Sequence, residues 1–241
     1  MNRTSIILAV LGVALIGGYL TVTVGSGNLV TESREVAGFD SIELQGQGQL
    51  MVTQRQGSTE KLLVEAEDNI IPLLDTYVRG DTLKLQVEKG LLRTVIPRKG
   101  IRYYVTVDDL KRVDISGSGS LDAEVLKTEK LKVSVNGSGR VELKYLEAEE
   151  FTAEINGSGK FRLSGVVDRQ RVDISGSGKY LATELQSDFA SVDISGSGKT
   201  ELSVARQLDV EISGSGKVSY YGRPRVSQKI SGSGEVVNLE D

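Results

Sequence analysis

From residue 111 onward, apolar and polar positions alternate, and the alternation is interrupted at near-regular intervals by Gly-Ser-Gly. Val113 and Ile115 stand before the first interruption, Leu121 and Ala123 after it; the sets Val133, Val135, Val141, Leu143 and Val172, Ile174, Tyr180, Ala182 repeat the arrangement. A period of two predicts strands rather than helices. The unit occurs seven times, its first glycines being Gly117, Gly137, Gly157, Gly176, Gly196, Gly214 and Gly232, in steps of 20, 20, 19, 20, 18 and 18 residues. Self-similarity at such a period implies stacked coils, in which no coil buries its apolar face alone.

Aligning the copies produces columns. Two residues before each first glycine stand Ile115, Val135, Ile155, Ile174, Ile194, Ile212 and Ile230, an inward aliphatic ladder if successive coils lie ~4.8 Å apart and in parallel. Aspartate at Ile174 or Ile194 is expected to unfold several coils together, and the same change at Thr200 is expected to cost less. The paired glycines Gly117 and Gly119, Gly137 and Gly139, Gly157 and Gly159, Gly176 and Gly178, Gly196 and Gly198, Gly214 and Gly216, and Gly232 and Gly234 read as structural turns. A sharp corner between strands needs positive φ or close backbone approach, and glycine accepts both. The short polar residue before each corner (Ser116, Asn136, Asn156, Ser175, Ser195, Ser213 or Ser231) can bond the corner backbone or its counterpart in the next coil.

The first half is less regular. Gly46 and Gly48 resemble a degenerate copy of the corner, strand-like runs follow at 61–66, 82–88 and 102–107, residues 68–75 allow one helical turn, and 92–100 is a basic, proline-containing excursion. No linker divides residues 28–241, which read as one domain with an irregular part, 38–110, and regular repeats, 111–237. Residues 1–27 read as an export signal or a single-span anchor. An uncharged run at 6–24 follows Asn2 and Arg3; its first part suits a signal peptide, and its 19 residues just cross a bilayer of ~30 Å as a helix. Val24-Gly25-Ser26 is a weak cleavage candidate, and both readings place the remainder outside the cytoplasm, whether secreted, periplasmic or on the cell surface.

Charge and composition narrow the chemistry. Lys plus Arg number 29 against 33 Asp plus Glu, a net charge of −4, so no basic stripe points to nucleic acid. The lack of Cys removes disulfides, thiolate zinc sites and cysteine nucleophiles; the lack of His removes Ser-His-Asp chemistry and imidazole ligands. Ser195-Gly-Ser-Gly-Lys-Thr200 imitates a phosphate-binding loop but has Asp193 where that loop needs glycine, and a strand pattern where it needs a helix. Calcium-binding repeats need aspartate where this chain has Leu121, Val141, Phe161, Tyr180, Thr200, Val218 and Val236. No cofactor or metal site is expected.

Two charged columns remain. Asp114, Glu154, Asp173, Asp193 and Glu211 form an acidic one, interrupted by Ser134 and Lys229; Arg140, Lys160, Lys179, Lys199 and Lys217 form a basic one after each corner. Both read as solvated faces, with Lys160, Lys179, Lys199 and Lys217 the only residues offering a track for an extended anionic polymer. The last coil departs from its sisters at Gln228, Lys229 and Glu235, which marks a terminal repeat and a place for self-association.

Residues 39–44, Glu65-Ala-Glu-Asp-Asn69 and the seven corners together resemble the bacterial putative auto-transporter adhesin family, head GIN domain, over roughly residues 38–237. The resemblance implies a β-helix similar in shape to pectin-lyase-like folds, with Gly-Ser-Gly at the turns, an extracytoplasmic location and an adhesive role without catalytic residues. The expectation is therefore an all-β chain, a right-handed parallel β-solenoid of 18–20-residue coils, acting as a non-catalytic envelope or surface module for a glycan or protein. Its membrane contact would be confined to the N-terminal segment. The alternatives are a polysaccharide-processing enzyme, whose carboxylates and an Arg or Lys base would survive the missing histidines, and an envelope scaffold or sensor accessory.

Overall fold

The computed structural model describes residues 14–15, 18–19, 21–88 and 93–240. Most of the 6–24 segment lies outside the described residues; at its end, Thr21–Val24 pairs in parallel with Arg93–Ile96. No helix among the described residues is long and apolar enough to cross a membrane.

The repeats form a β-solenoid with three faces. The first stacks Ser41–Gly46, Arg112–Gly117 and residues 132–137, 152–157, 171–176, 191–196, 209–214 and 227–232, all parallel and in register. The second, after the corner, stacks Gln49–Gln54, Ser120–Ala123, residues 140–143, 160–163 and 179–182, and then Lys199–Ser203, Lys217–Tyr221 and Glu235–Asn238. Residues 126–131, 146–151, 165–170 and 185–190 form the third. Alternation turns every second side chain inward. Ile115, Val135, Ile155, Ile174, Ile194 and Ile212 are at most 2% exposed, whereas Ile230 at the open end is 38% exposed.

Among the described residues eight corners align, because Gly46 pairs with Gly117 as one more copy. The hydrogen-bond ladder continues through each turn. From coil to coil the serine N–H donates to the first glycine carbonyl below at 2.8–3.0 Å, and the residue after the second glycine donates to the second glycine carbonyl at 2.8–3.1 Å. The two glycines are needed for different reasons. At Gly196 φ is +126°, and a Cβ would lie 2.5 Å from the Gly176 carbonyl oxygen; at Gly198 a Cβ would meet Ile174 Cγ2 at 2.7 Å. Of the residues preceding the corners, Asn156 donates from Nδ2 to Asn136 Oδ1 at 2.9 Å, a bond up the stack.

The spread of coil lengths is absorbed where the second face turns into the third. Register shifts there, between Leu143 and Leu146 and between Arg162 and Ser164, while the first face stays aligned. Gly165 sits at this corner with φ +129°, its missing Cβ making room for the Leu146 carbonyl.

At the N-terminal end, spatial order departs from chain order. Thr82–Val87 lies beneath Ser41–Gly46, and Arg102–Val107 beneath Gln49–Gln54, so the chain makes the second coil, passes under it, and returns on top at Arg112. Three antiparallel pairings then close this end: Lys61–Glu67 against Arg102–Val107, Leu29–Arg34 against Lys61–Glu67, and Leu74–Arg79 against Thr82–Val87. The coils themselves are the parallel stack expected; the antiparallel pairs belong to the irregular N-terminal part, and part of the excursion at 92–100 is the strand Arg93–Ile96. The helical turn materialises as the short 3-10 segment Ile71–Leu73.

Glu67-Asp68-Asn69, part of the motif quoted above, latches the entering chain. Glu67, fully buried, accepts from the Arg98 and Gly27 amides at 3.1 and 3.2 Å. Asp68 accepts from Asn28 Nδ2 at 3.0 Å and from the Ser26 hydroxyl, bonds that hold its carboxyl below the usual range. Asn69 accepts from the Ser26 amide and donates to the Val24 carbonyl, at 2.9 and 2.8 Å.

Thr200 is a further correction. It occupies the inward column of Leu121, Val141, Phe161, Tyr180 and Val218 and is fully buried, with no partner for its hydroxyl. Alternation after the corner points it into the core whatever its polarity, so aspartate there cannot be milder than at Ile194.

Candidate functional site

The acidic column stacks as expected on the first face, Asp114, Ser134, Glu154, Asp173, Asp193, Glu211 and Lys229 being consecutive neighbours. Its charges are widely neutralised by cations on the same face. Arg112 reaches Asp114 at 2.7 Å, Arg171 reaches Asp173 at 2.9 Å, Lys132 reaches Glu154 at 2.5 Å and Lys229 reaches Glu211 at 2.5 Å. The Lys132 hydrogen bond, aided by the Ser134 hydroxyl, holds the Glu154 carboxyl below the ordinary carboxylate range against the opposing effect of partial burial. No described group of three or more carboxylates stands close enough together to hold a metal ion.

The basic column on the second face stacks Ser120, Arg140, Lys160, Lys179, Lys199, Lys217 and Glu235 in that order. Here the structure separates the four lysines into two pairs. Lys199 is bonded to Glu201 at 2.7 Å and Lys217 to Glu235 of the terminal coil at 2.7 Å. Lys160 and Lys179 have no ion-pair partner among the described residues, nor do Arg140 below them or Arg162 beside them.

Three of these cations surround one carboxylate. Arg140, Glu142, Lys160 and Arg162 line a shallow recess of about 320 Å³, Glu142 being stacked directly against Arg162. Neighbouring unit charges ~4.8 Å apart repel by about 0.9 kcal/mol even at the dielectric constant of water. The arrangement is thus a small patch of net positive charge on an acidic protein, with Glu142 offsetting part of it. It can hold a polyanion by charge, without the convergent acid and base that hydrolysis or elimination requires. Periodicity located the column, but which of its members are neutralised depends on residues two positions along and one coil away. Arg162 was missed because its column holds Asp122, Glu142, Leu181 and Glu201, with no repeated cation to mark it.

A family model described as putative auto-transporter adhesin, head GIN domain, matches residues 38–224. Among solved structures, a putative adhesin from Bacteroides fragilis superposes with a TM-score of 0.84 at 24% identity, over 90% of this chain and 99% of its own. A putative lipid binding protein from Parabacteroides distasonis gives 0.77 at 24% identity, over 91% and 100% of the two chains. A putative adhesin from Parabacteroides merdae gives 0.68 at 22%, over 90% and 99%. Identities this low speak for a common fold. No curated protein matches the chain.

Proposed function

This chain belongs to the putative auto-transporter adhesin, head GIN domain family, and from that premise we propose that it is a non-catalytic, exported binding module whose contact surface is the second face of the solenoid. The family supports an adhesion-type role at the cell surface. In this reading residues 1–27 export or anchor the chain and residues 28–241 form the binding domain. The partner is an extended acidic glycan, lying along the stack over Arg140, Lys160 and Lys179. The observation that carries the assignment is the run of three stacked cations, with Arg162 beside them, none of which forms an ion pair among the described residues. Lys199 and Lys217, already paired, contribute less.

Retention of the protein on polygalacturonate, against a neutral glucan, tests this. Combined Arg140→Gln, Lys160→Gln and Lys179→Gln should weaken retention at least fivefold at low salt, Lys199→Gln with Lys217→Gln should leave most of it, and raised salt should abolish it. Equal retention by the triple variant and the unmodified protein would remove the contact surface. Capture on anionic vesicles in place of the polymer would redirect the reading to a lipid ligand, and the Parabacteroides distasonis neighbour is described as a putative lipid binding protein. Release of oligosaccharide products would overturn the non-catalytic assignment, and recovery from the cytoplasmic fraction would overturn export.

Self-association through the C-terminal coil is the second part of the proposal. Ile230 ends the inward ladder half-uncovered, and the outermost strands Arg225–Gly232 and Glu235–Asn238 have their next coil on one side only among the described residues. Ile230→Lys should abolish any dimer seen in sedimentation; an oligomer that survives it uses another surface.

A further inference from the structure

Away from the basic face, a cleft of about 420 Å³ opens where the third face bends into the first, and its lining includes Arg169, Phe189, Ser191, Gln207 and Asp209. Stacking puts Phe189 between Arg169 in the coil below and Gln207 in the coil above. The guanidinium carbon of Arg169 lies 5.4 Å from the centroid of the Phe189 ring. Such a cation–π contact shields one side of the guanidinium from water and leaves its N–H donors free at the edges of the plane.

No carboxylate around Arg169 pairs with it, although Glu150 and Asp209 both line the cleft. Glu150, directly below it, is held by Lys130 at 3.3 Å; Asp173 binds Arg171; and Asp209 accepts a hydrogen bond from Gln207 Nε2 at 2.8 Å. Arg169 has no ion pair or hydrogen bond of its own among the described side chains. A guanidinium oriented by a ring and open to a cleft matches a planar carboxylate in bidentate geometry. Three other polar groups of the lining then narrow the ligand. Ser191, Gln207 and Asp209 add hydroxyl, amide and carboxylate groups of the kind that bond sugar hydroxyls, and the volume lies in the ~300–1,000 Å³ range of small-molecule sites, more than an isolated carboxylate would fill.

We propose that this cleft binds one uronate unit of an acidic saccharide, with Arg169 gripping the carboxylate and Phe189 fixing the orientation of its guanidinium. The inference rests on the acidic-glycan reading above but uses a separate surface: the stacked cations of the second face would attract a polymer by charge, and the cleft would recognise its monomer.

Calorimetric titration with trigalacturonate, and with the neutral galactose trisaccharide as control, separates the two. The unmodified protein should bind the acidic trisaccharide at least tenfold more tightly than the neutral one. Arg169→Gln should erase that preference, and Phe189→Leu, which keeps the charge but not the ring, should reduce it severalfold. Arg140→Gln with Lys160→Gln and Lys179→Gln should show the at least fivefold weaker polymer retention yet keep trisaccharide binding. Both Arg169→Gln and Phe189→Leu are checked for an unchanged thermal transition, so that loss of binding is not loss of fold. Absence of trigalacturonate binding, equal affinity for both trisaccharides, or an Arg169→Gln variant that still prefers the acid would each overturn the cleft assignment. Polymer retention that the triple variant keeps in full, with trisaccharide selectivity intact, would count only against the second-face contact.

Discussion

Alanine at Gly196 is expected to destabilise the solenoid by about 3 kcal/mol or more, a large fraction of the stability of an ordinary domain. Two penalties coincide there. A side chain at φ +126° is strained, by roughly 1–2 kcal/mol, and its Cβ would lie 2.5 Å from the Gly176 carbonyl oxygen. That oxygen accepts the Ser197 amide at 2.8 Å, and the Gly196 carbonyl accepts the Ser215 amide at 2.8 Å, so relief of the clash disturbs the corner bonds on both sides. Gly57 supplies the control, with φ +72° and nothing within 4 Å of a Cβ; alanine there should cost only about 1 kcal/mol. Gly198→Ala should fall between them, because its obstacle is the Ile174 methyl, which can repack, rather than backbone. Urea unfolding of the three variants orders these costs. Equal losses at Gly196 and Gly57 would show that positive φ alone, and not the stack, demands glycine.

The same residues explain what was legible beforehand. Every coil repeats the conditions of the last, so in-register columns appear as aligned letters, and the corner at Gly46 could be recognised from its two glycines before its pairing with Gly117 was seen. The placement of Thr82–Val87 and Arg102–Val107 beneath the second coil left no such trace. Thr82–Val87 and Arg102–Val107 alternate like any strand, and their partners in the stack, some forty to fifty residues earlier, are chosen by burial at one end rather than by a repeat. Gly165 was likewise silent, because the corner it serves is where coil length varies and alignment fails. The candidate sites divide in the same way. The basic column is periodic and was visible; the neutralisation of Lys199 by Glu201, the isolation of Arg162 and the contact of Arg169 with Phe189 are departures from the repeat, and only geometry brings them out.

Burial also reverses an expectation about Thr200. Ile194→Asp places a carboxylate in a fully buried aliphatic ladder, between Ile174 and Ile212, where no cation stacks against it. The cost of an unpaired buried charge is several kcal/mol, and since adjacent coils share the ladder the loss should spread through them as one lowered transition. Thr200→Asp should be equally severe, because Thr200 is fully buried between Tyr180 and Val218. Thr200→Val, by contrast, should stabilise. The threonine hydroxyl is buried without a hydrogen-bond partner, and valine fills nearly the same shape without a polar group to desolvate, a gain of about 1 kcal/mol. The neighbouring Tyr180 shows the alternative, its hydroxyl donating to Gln170 Oε1 at 2.8 Å while Gln170 Nε2 donates to Ser187 Oγ at 2.7 Å. Tyr180→Phe therefore strands a glutamine oxygen and should destabilise by about 1–3 kcal/mol, although it too removes one buried hydroxyl. Thermal unfolding of Thr200→Val and Tyr180→Phe should thus move in opposite directions; a fall in both would mean that the Thr200 hydroxyl is satisfied in solution.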